Sequence, residues 1–293
     1  MSSAATQAFV LGLLLGLQPD LARSADYGAS LFRDEVSKQE KIYQSKGAAR
    51  PDGYVIDRSL MLYQEGLCTG FGPTLAALGP SQRWLDIGAG QGQAVVDYMT
   101  AKYDAVLYAD RERPPAKAQV VAMSVEDRRT PRWHEAEAGL DGGKLRYLAG
   151  KRLREYSPAE LGTFQLITDV VGGFSYSVDL SLFVQQVLSL LDVNGSFYTL
   201  LGDVQFEKGG NKPYYEDTYF LTDIRKPDGS EVRMCSWLKS IGCVEVQCEP
   251  KDWQPPVESF RIRKICSDVK VPPLLPVHYE AGTPPGRRYL LTR

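Results

Sequence analysis

Asp86-Ile87-Gly88-Ala89-Gly90-Gln91-Gly92 is the stretch that decides how this chain reads. It follows a short apolar run at 83–87 (RWLDI). From Gly92 the pattern turns helical, with Val95, Val96, Met99 and Tyr103 spaced to share one face. A strand running through glycines into a helix makes a tight turn, lets a ligand approach the backbone, and leaves free N–H groups at the helix start. The dinucleotide fingerprint G-x-G-x-x-G asks for a third glycine where this chain has Gln93, and a Walker-type phosphate loop is absent. The acid inside the loop, Asp86, is ill placed beside a pyrophosphate and well placed to attract a cationic ligand.

Outward from this loop, strands and helices alternate. Strands are predicted at 118–125 (AQVVAMSV), 145–149, 164–171 (FQLITDVV) and 196–201 (SFYTLL), with helices from Gly92, over 130–138 and over 180–191. In the last helix Leu180, Phe183, Val184, Val187, Leu188 and Leu191 form one apolar face, and Asn194-Gly195 is expected to end it. A helix over 231–241 leads to 244–248 (VEVQC) and 259–266 (SFRIRKIC), whose short connection forces an antiparallel pair. The order predicts an α/β fold, a doubly wound, mostly parallel seven-stranded sheet with a terminal antiparallel hairpin. Before it, residues 26–80 read as a helical extension, with helices over 30–45 and 57–66 and Asp57 as a cap for the second. The fold domain spans 81–270, with an insertion at 202–229 carrying Tyr214, Tyr215, Tyr219 and Phe220, and the proline-rich tail 271–293 is expected to wrap the surface.

On these residues the sequence resembles the class I S-adenosylmethionine-dependent methyltransferase family. The D-x-G-x-G-x-G signature is matched at Asp86, Gly88, Gly90 and Gly92 without departure, and the resemblance covers about 80–266 with the terminal hairpin. It implies a Rossmann-like methyltransferase fold and S-adenosyl-L-methionine as cofactor, with Asp86, Gly88, Ala89, Gly90 and Gly92 lining its methionine portion. The acid that binds the ribose hydroxyls has two candidates. Asp110 lies 20 residues past Gly90, the usual interval, whereas Glu126 follows AQVVAMSV and leaves one ordinary helix before the next strand. The reading favours Glu126. Where the family often carries an acid for adenine, this chain has Ala149-Gly150-Lys151-Arg152-Leu153, so recognition falls to backbone groups near Arg152 and Leu153.

Asp169, ending the fourth strand, matches the family's position between cofactor and acceptor, and Gly172 and Gly173 are read as giving a ligand room beside the backbone. Asp169 and Tyr176 are the nearest candidates for a catalytic role, with Tyr176 also a pocket wall. Asp169-Val170-Val171-Gly172 departs from the [DN]-P-P-[YF] of members acting on base amines or glutamine side chains. The implied reaction is in-line displacement of the sulfonium methyl onto a small molecule or an exposed side chain. Alignment supplies at best about 7–11 kcal/mol of such a step. The insertion, with Tyr54 and Arg58 opposite, is read as the substrate cover, His134 as structural, and His278 as a residue able to fold over the site. The alternative is a non-catalytic binding protein on the same fold; Gln93 disfavours a nicotinamide-dependent dehydrogenase. Gly90→Arg and Asp86→Ala are both expected to abolish cofactor binding with the fold intact.

Composition narrows the partners. The chain has 293 residues, 34 Lys+Arg against 36 Asp+Glu, and a formal charge of −2, so it lacks the basic footprint of nucleic-acid binding. Two histidines and five cysteines without a C-x-x-C pair exclude a zinc cage, so no metal is expected. The cysteines, odd in number, read mostly as small buried apolar residues. Residues 8–17 (AFVLGLLLGL) are too short to span a bilayer. With Ala22, Ser24 and Ala25 following, residues 1–25 resemble a secretory signal peptide without its basic start. Cofactor supply points to the cytoplasm instead.

Overall fold

A computed structural model describes residues 58–102, 113–201, 221–251, 257–280 and 286–292. The expected elements at residues 1–57, together with Asp110, Tyr103 and the four insertion aromatics, lie outside the described residues. The chain first forms α1 (Leu60–Gly66) and α2 (Phe71–Ala76), then β1 (Arg83–Ile87) and α3 (Gln93–Thr100). After these come β2 (Gln119–Ser124), α4 (Pro131–Ala138), β3 (Leu145–Ala149), α5 (Pro158–Leu161), β4 (Phe164–Val170) and α6 (Gly173–Tyr176). Next are α7 (Leu180–Leu190), β5 (Leu191–Leu201), β6 (Leu221–Arg225), β7 (Glu231–Val232) and α8 (Met234–Lys239). The chain closes with β8 (Val244–Lys251), β9 (Val257–Lys264), β10 (His278–Glu280) and β11 (Gly286–Leu290).

Seven strands form the main sheet in the order β3-β2-β1-β4-β5-β9-β8. β1 to β5 are parallel, and β9 runs antiparallel to both β5 and β8. The sheet is the one the sequence predicts, because the apolar strands can be covered on both faces. Alternate residues of β5 show the two layers. Tyr198 meets Phe71 of α2 edge-on, while Phe197 meets Phe174 of α6 on the other face. On the first face Leu60, Tyr63, Phe71, Trp84, Val95, Tyr98 and Tyr198 belong to one buried cluster, so α1 and α2 are part of the core rather than an appendage. Asp97 ties the layer together, accepting from the Leu60 N–H at 3.1 Å and from Arg132 at 2.6 Å.

Several local expectations change. Ser59, not Asp57, caps α1, its hydroxyl accepting from the Leu62 N–H. α2 lacks a readable apolar period in sequence and forms because Phe71 and Leu75 bury against the sheet. Asn194 (φ +70°) does not end α7; it sits inside β5 where the register against β4 shifts, and α7 runs straight into the strand. Lys264 makes that junction possible, its buried ammonium donating to the Leu188 and Leu191 carbonyls at 2.8 and 2.7 Å. The helix expected over 231–241 shrinks to α8, preceded by β7.

The tail is not a surface wrap. β10 and β11 join β6 and β7 in a second sheet of order β10-β11-β6-β7, and Tyr289 and Arg287 of β11 are completely buried. The cysteines also differ from expectation. Cys235–Cys248 fastens α8 to β8 and Cys243–Cys266 closes the base of the hairpin, leaving Cys68 free and buried. Their spacing hid this, because the sheet rather than the sequence brings the partners together. Replacing Cys235 and Cys248 by serine is expected to cost about 3 kcal/mol through loop entropy, read as a lower thermal midpoint in non-reducing buffer.

Candidate functional site

The glycine loop lies where β1 ends, between β2 and β4. Gly88, Gly90 and Gly92 all have left-handed backbone (φ +71°, +58° and +77°), conformations that favour glycine. Two of them also have no room for a side chain. A Cβ on Gly92 would stand 2.6 Å from the Trp133 ring, and one on Gly88 would stand 2.8 Å from Gly172 Cα. Trp133 stacks edge-on against Tyr147 of β3, whose hydroxyl donates to the Gly90 carbonyl at 2.5 Å. Trp133 and Tyr147 thus brace the loop from beneath; sequence reading missed both, since only the fold brings β3 and α4 to it. Gly88 stays exposed, and Gly92 begins α3 without a side-chain cap.

Asp86 is wholly buried beneath the loop. Its oxygens accept from the Thr168 hydroxyl at 2.6 Å and from Tyr63 at 3.1 and 3.2 Å, and Trp84 donates to Thr168 at 2.7 Å. Burial, then the negative Asp86, pushes the Tyr63 hydroxyl well above its usual range, so it stays a donor. Tyr63 comes from α1. Arg58, half-buried, is close enough for its charge to oppose that rise.

Asp169 sits one strand over, paired in register with Ile87, and is also wholly buried. Its carboxylate accepts from the Gly172 N–H at 2.7 Å and the Phe174 N–H at 3.0 Å. Burial nevertheless outweighs these bonds and pushes its pKa up to about 7. Between them Val171 has φ +58°, a left-handed conformation that a β-branched residue adopts only under constraint. Gly172 and Gly173 do not leave ligand room. A Cβ would meet Asp169 Oδ1 at 2.8 Å and the Ile87 carbonyl at 2.9 Å in one case, and Phe183 at 2.4 Å in the other. Gly172 is a glycine so that the β1 and β4 exits can touch, and Gly173 so that Phe183 of α7 can pack on the segment. Tyr176 ends α6, half-exposed on the same segment.

At the β2 exit, Val125 is 54% exposed, and Glu126 projects an exposed carboxylate bonded to Arg128 at 2.5 Å. Gly150, after β3, donates to the Val125 carbonyl. The Arg152 N–H donates to Glu155, while the buried Leu153 accepts from Gln186 through its carbonyl. His134 is exposed on α4 beside Glu137, and His278 is exposed on β10. The ends of β1 and β4 thus carry the glycine loop, Asp86 and Asp169, with Val125 and Glu126 just past the end of the neighbouring β2 and Tyr176 farther on, at the end of α6.

A glycine loop at the end of the first strand, where the sheet order reverses, and an antiparallel strand inserted between the fifth and the edge are together distinctive. The fold is that of the class I methyltransferases. No protein-family model and no curated protein sequence matches the chain. Among solved structures, an rRNA methylase from Streptococcus thermophilus is similar at 10% identity over 72% of this chain and 99% of its own, with a TM-score of 0.38. The N-methyltransferase NodS from Bradyrhizobium japonicum is similar at 13% identity, over 66% and 92%, with a TM-score of 0.38. The geranyl diphosphate C-methyltransferase from Streptomyces coelicolor, solved with Mg2+, geranyl diphosphate and S-adenosyl-L-homocysteine, is similar at 14% identity, over 44% and 41%, with a TM-score of 0.29. Among the described residues of this class I methyltransferase fold, no helix is long and apolar enough to cross a membrane.

Proposed function

We propose that the chain is an S-adenosylmethionine-dependent methyltransferase acting on a small molecule or an exposed side chain. The observation that carries this reading is the run of left-handed glycines ending β1, with Gly88 exposed above the buried Asp86 carboxylate. The residues suit the cofactor's three parts. The glycine loop and helix start offer backbone donors to a carboxylate. The exposed Val125 offers an apolar face to a flat ring, and Glu126 an accessible acceptor pair to a diol. When bound, the cofactor supplies an electrophilic methyl on a sulfonium. The chain's own residues then orient the acceptor and exclude water. Asp169, buried at the β4 exit with its pKa raised to about 7 by burial, is the group we assign to hold a proton for the acceptor.

Calorimetric titration of the full chain with S-adenosylmethionine, S-adenosylhomocysteine and NAD tests this. Micromolar binding of the first two, with none of NAD, supports it, and no binding by a folded chain sinks it. Glu126→Ala is expected to weaken S-adenosylhomocysteine about tenfold or more, and more than Asp110→Ala does. The opposite order would assign the ribose to Asp110.

One observation favours the second reading, a non-catalytic binding protein on the same fold. Two disulfides suit an oxidising compartment, where the signal-like residues 8–17 would send the chain and where this cofactor is not made. Thiol counting on chain from its native source separates the addresses. One reactive thiol after denaturation supports export, and five support the cytoplasm.

A further inference from the structure

Arg287 on β11 is wholly buried, and it is buried against the segment that leaves Asp169. Its Nη1 donates to the Ser175 carbonyl, its Nη2 to the Phe174 carbonyl at 3.5 Å, and its Nε to the Thr222 hydroxyl of β6 at 3.0 Å. Farther along β11 the Tyr289 hydroxyl donates to the Ser177 carbonyl, and the guanidinium lies 5.5 Å from the Tyr289 ring centre. From the chain leading into β10, the Val277 N–H donates to the Val178 carbonyl at 2.9 Å. The second sheet and the residue leading into it thus take the carbonyls of Phe174, Ser175, Ser177 and Val178. Asp169 takes the amides of Gly172 and Phe174 from the other side.

The residue leading into the segment so held is not in an ordinary conformation. Val171 at φ +58° costs about 1–2 kcal/mol, and such strain persists only where the surroundings over-determine it. Burying a guanidinium is itself expensive unless its donors are met. An apolar side chain would tie down a tail at less cost. A rigid fork reaching two successive carbonyls does something an apolar contact does not: it sets the shape of the backbone.

We propose that Arg287 is a positioning residue for the acceptor side of the site, fixing residues 172–178, with Tyr176 among them, in the shape that the methyl acceptor meets. This rests on the methyltransferase reading. The glycine loop has braces of its own in Trp133 and Tyr147, and it meets the segment at its first residue, where Gly88 packs on Gly172. The second sheet, outside the seven-stranded core, is then where acceptor recognition is set.

The experiment uses the full chain with Arg287→Met, Arg287→Lys and Lys264→Met. The last removes a buried cation from carbonyls elsewhere, at the α7–β5 junction, and reports plain destabilisation. Amide hydrogen exchange and calorimetry with S-adenosylhomocysteine are the readouts. In Arg287→Met, exchange at 172–178 should quicken at least tenfold relative to β1 and β5, while affinity changes less than threefold. Arg287→Lys, which keeps the charge but not the fork, should fall between. Lys264→Met should leave 172–178 as in the wild type. Unchanged exchange at 172–178, a rise no larger than in β1 and β5, or a tenfold loss of affinity in Arg287→Met overturns the proposal. If the wild type itself fails to bind S-adenosylhomocysteine, the methyltransferase reading falls and takes the acceptor assignment with it. The exchange pattern still decides whether Arg287 fixes the segment.

Discussion

Asp86→Ala is expected to destabilise the protein by about 3–5 kcal/mol, in addition to removing S-adenosylmethionine binding. The carboxylate is inside the protein, not facing solvent, and it accepts from Tyr63 and Thr168. Removing it leaves two buried hydroxyls without that acceptor, at about 1–3 kcal/mol each, and it loosens the contact between α1 and the glycine loop. Exposed Glu126 should behave oppositely: its alanine variant weakens binding with a stability change within about 0.5 kcal/mol. Urea unfolding beside calorimetry distinguishes the two. Asp86→Ala with wild-type stability would show that the buried network contributes nothing, and would restore Asp86 to a purely ligand-facing role. Tyr63→Phe should reproduce part of the stability loss, about 1–2 kcal/mol, without touching a ligand contact.

Asp169 gives the second large effect, through pH. An aspartate in the unfolded chain titrates near 3.9; folded, Asp169 is pushed up to about 7 by burial. Between those values the native state holds a proton that the unfolded state has released, so stability falls as pH rises. The contribution is fully present below about pH 4 and lost through about pH 7, a difference of about 4 kcal/mol. Asp169→Asn removes the titration and keeps one acceptor for the Gly172 and Phe174 amides. The stability gap between wild type and variant should therefore shift by about that amount from pH 4 to pH 8, with the variant gaining as pH rises. Parallel stability curves would mean that Asp169 is ionised throughout, and its role as a proton holder would fall.

Much of the fold was legible because it depends on local pattern. Apolar runs at 83–87, 118–125 and 164–171 read as strands, and the period of 180–191 as a helix, since each buries its apolar face wherever it lands. The run over 118–125 forms β2 beside β1, and Glu126 follows just past its end. α2 was not legible. Gly72 and Pro73 weaken its local signal, and tertiary burial of Phe71 and Leu75 decides it. Asn194-Gly195 misled for a related reason, because left-handed backbone serves a strand irregularity as well as a helix end.

The site divides the same way. Sequence by itself determined the strand–glycine–helix turn, the residues in it, and the parallel sheet with its antiparallel close, because backbone conformation and periodic burial are written locally. Only the tertiary structure decided the rest. Asp86 is a buried acceptor for a tyrosine more than twenty positions earlier. Gly172 and Gly173 are contact points rather than ligand space. Four cysteines pair, one bond tying α8 to β8 and one at the hairpin base, and Arg287 and Tyr289 hold the segment after Asp169 from over a hundred residues away. Such contacts depend on which surfaces meet once the chain has collapsed, and residues distant in sequence carry no periodic trace of one another.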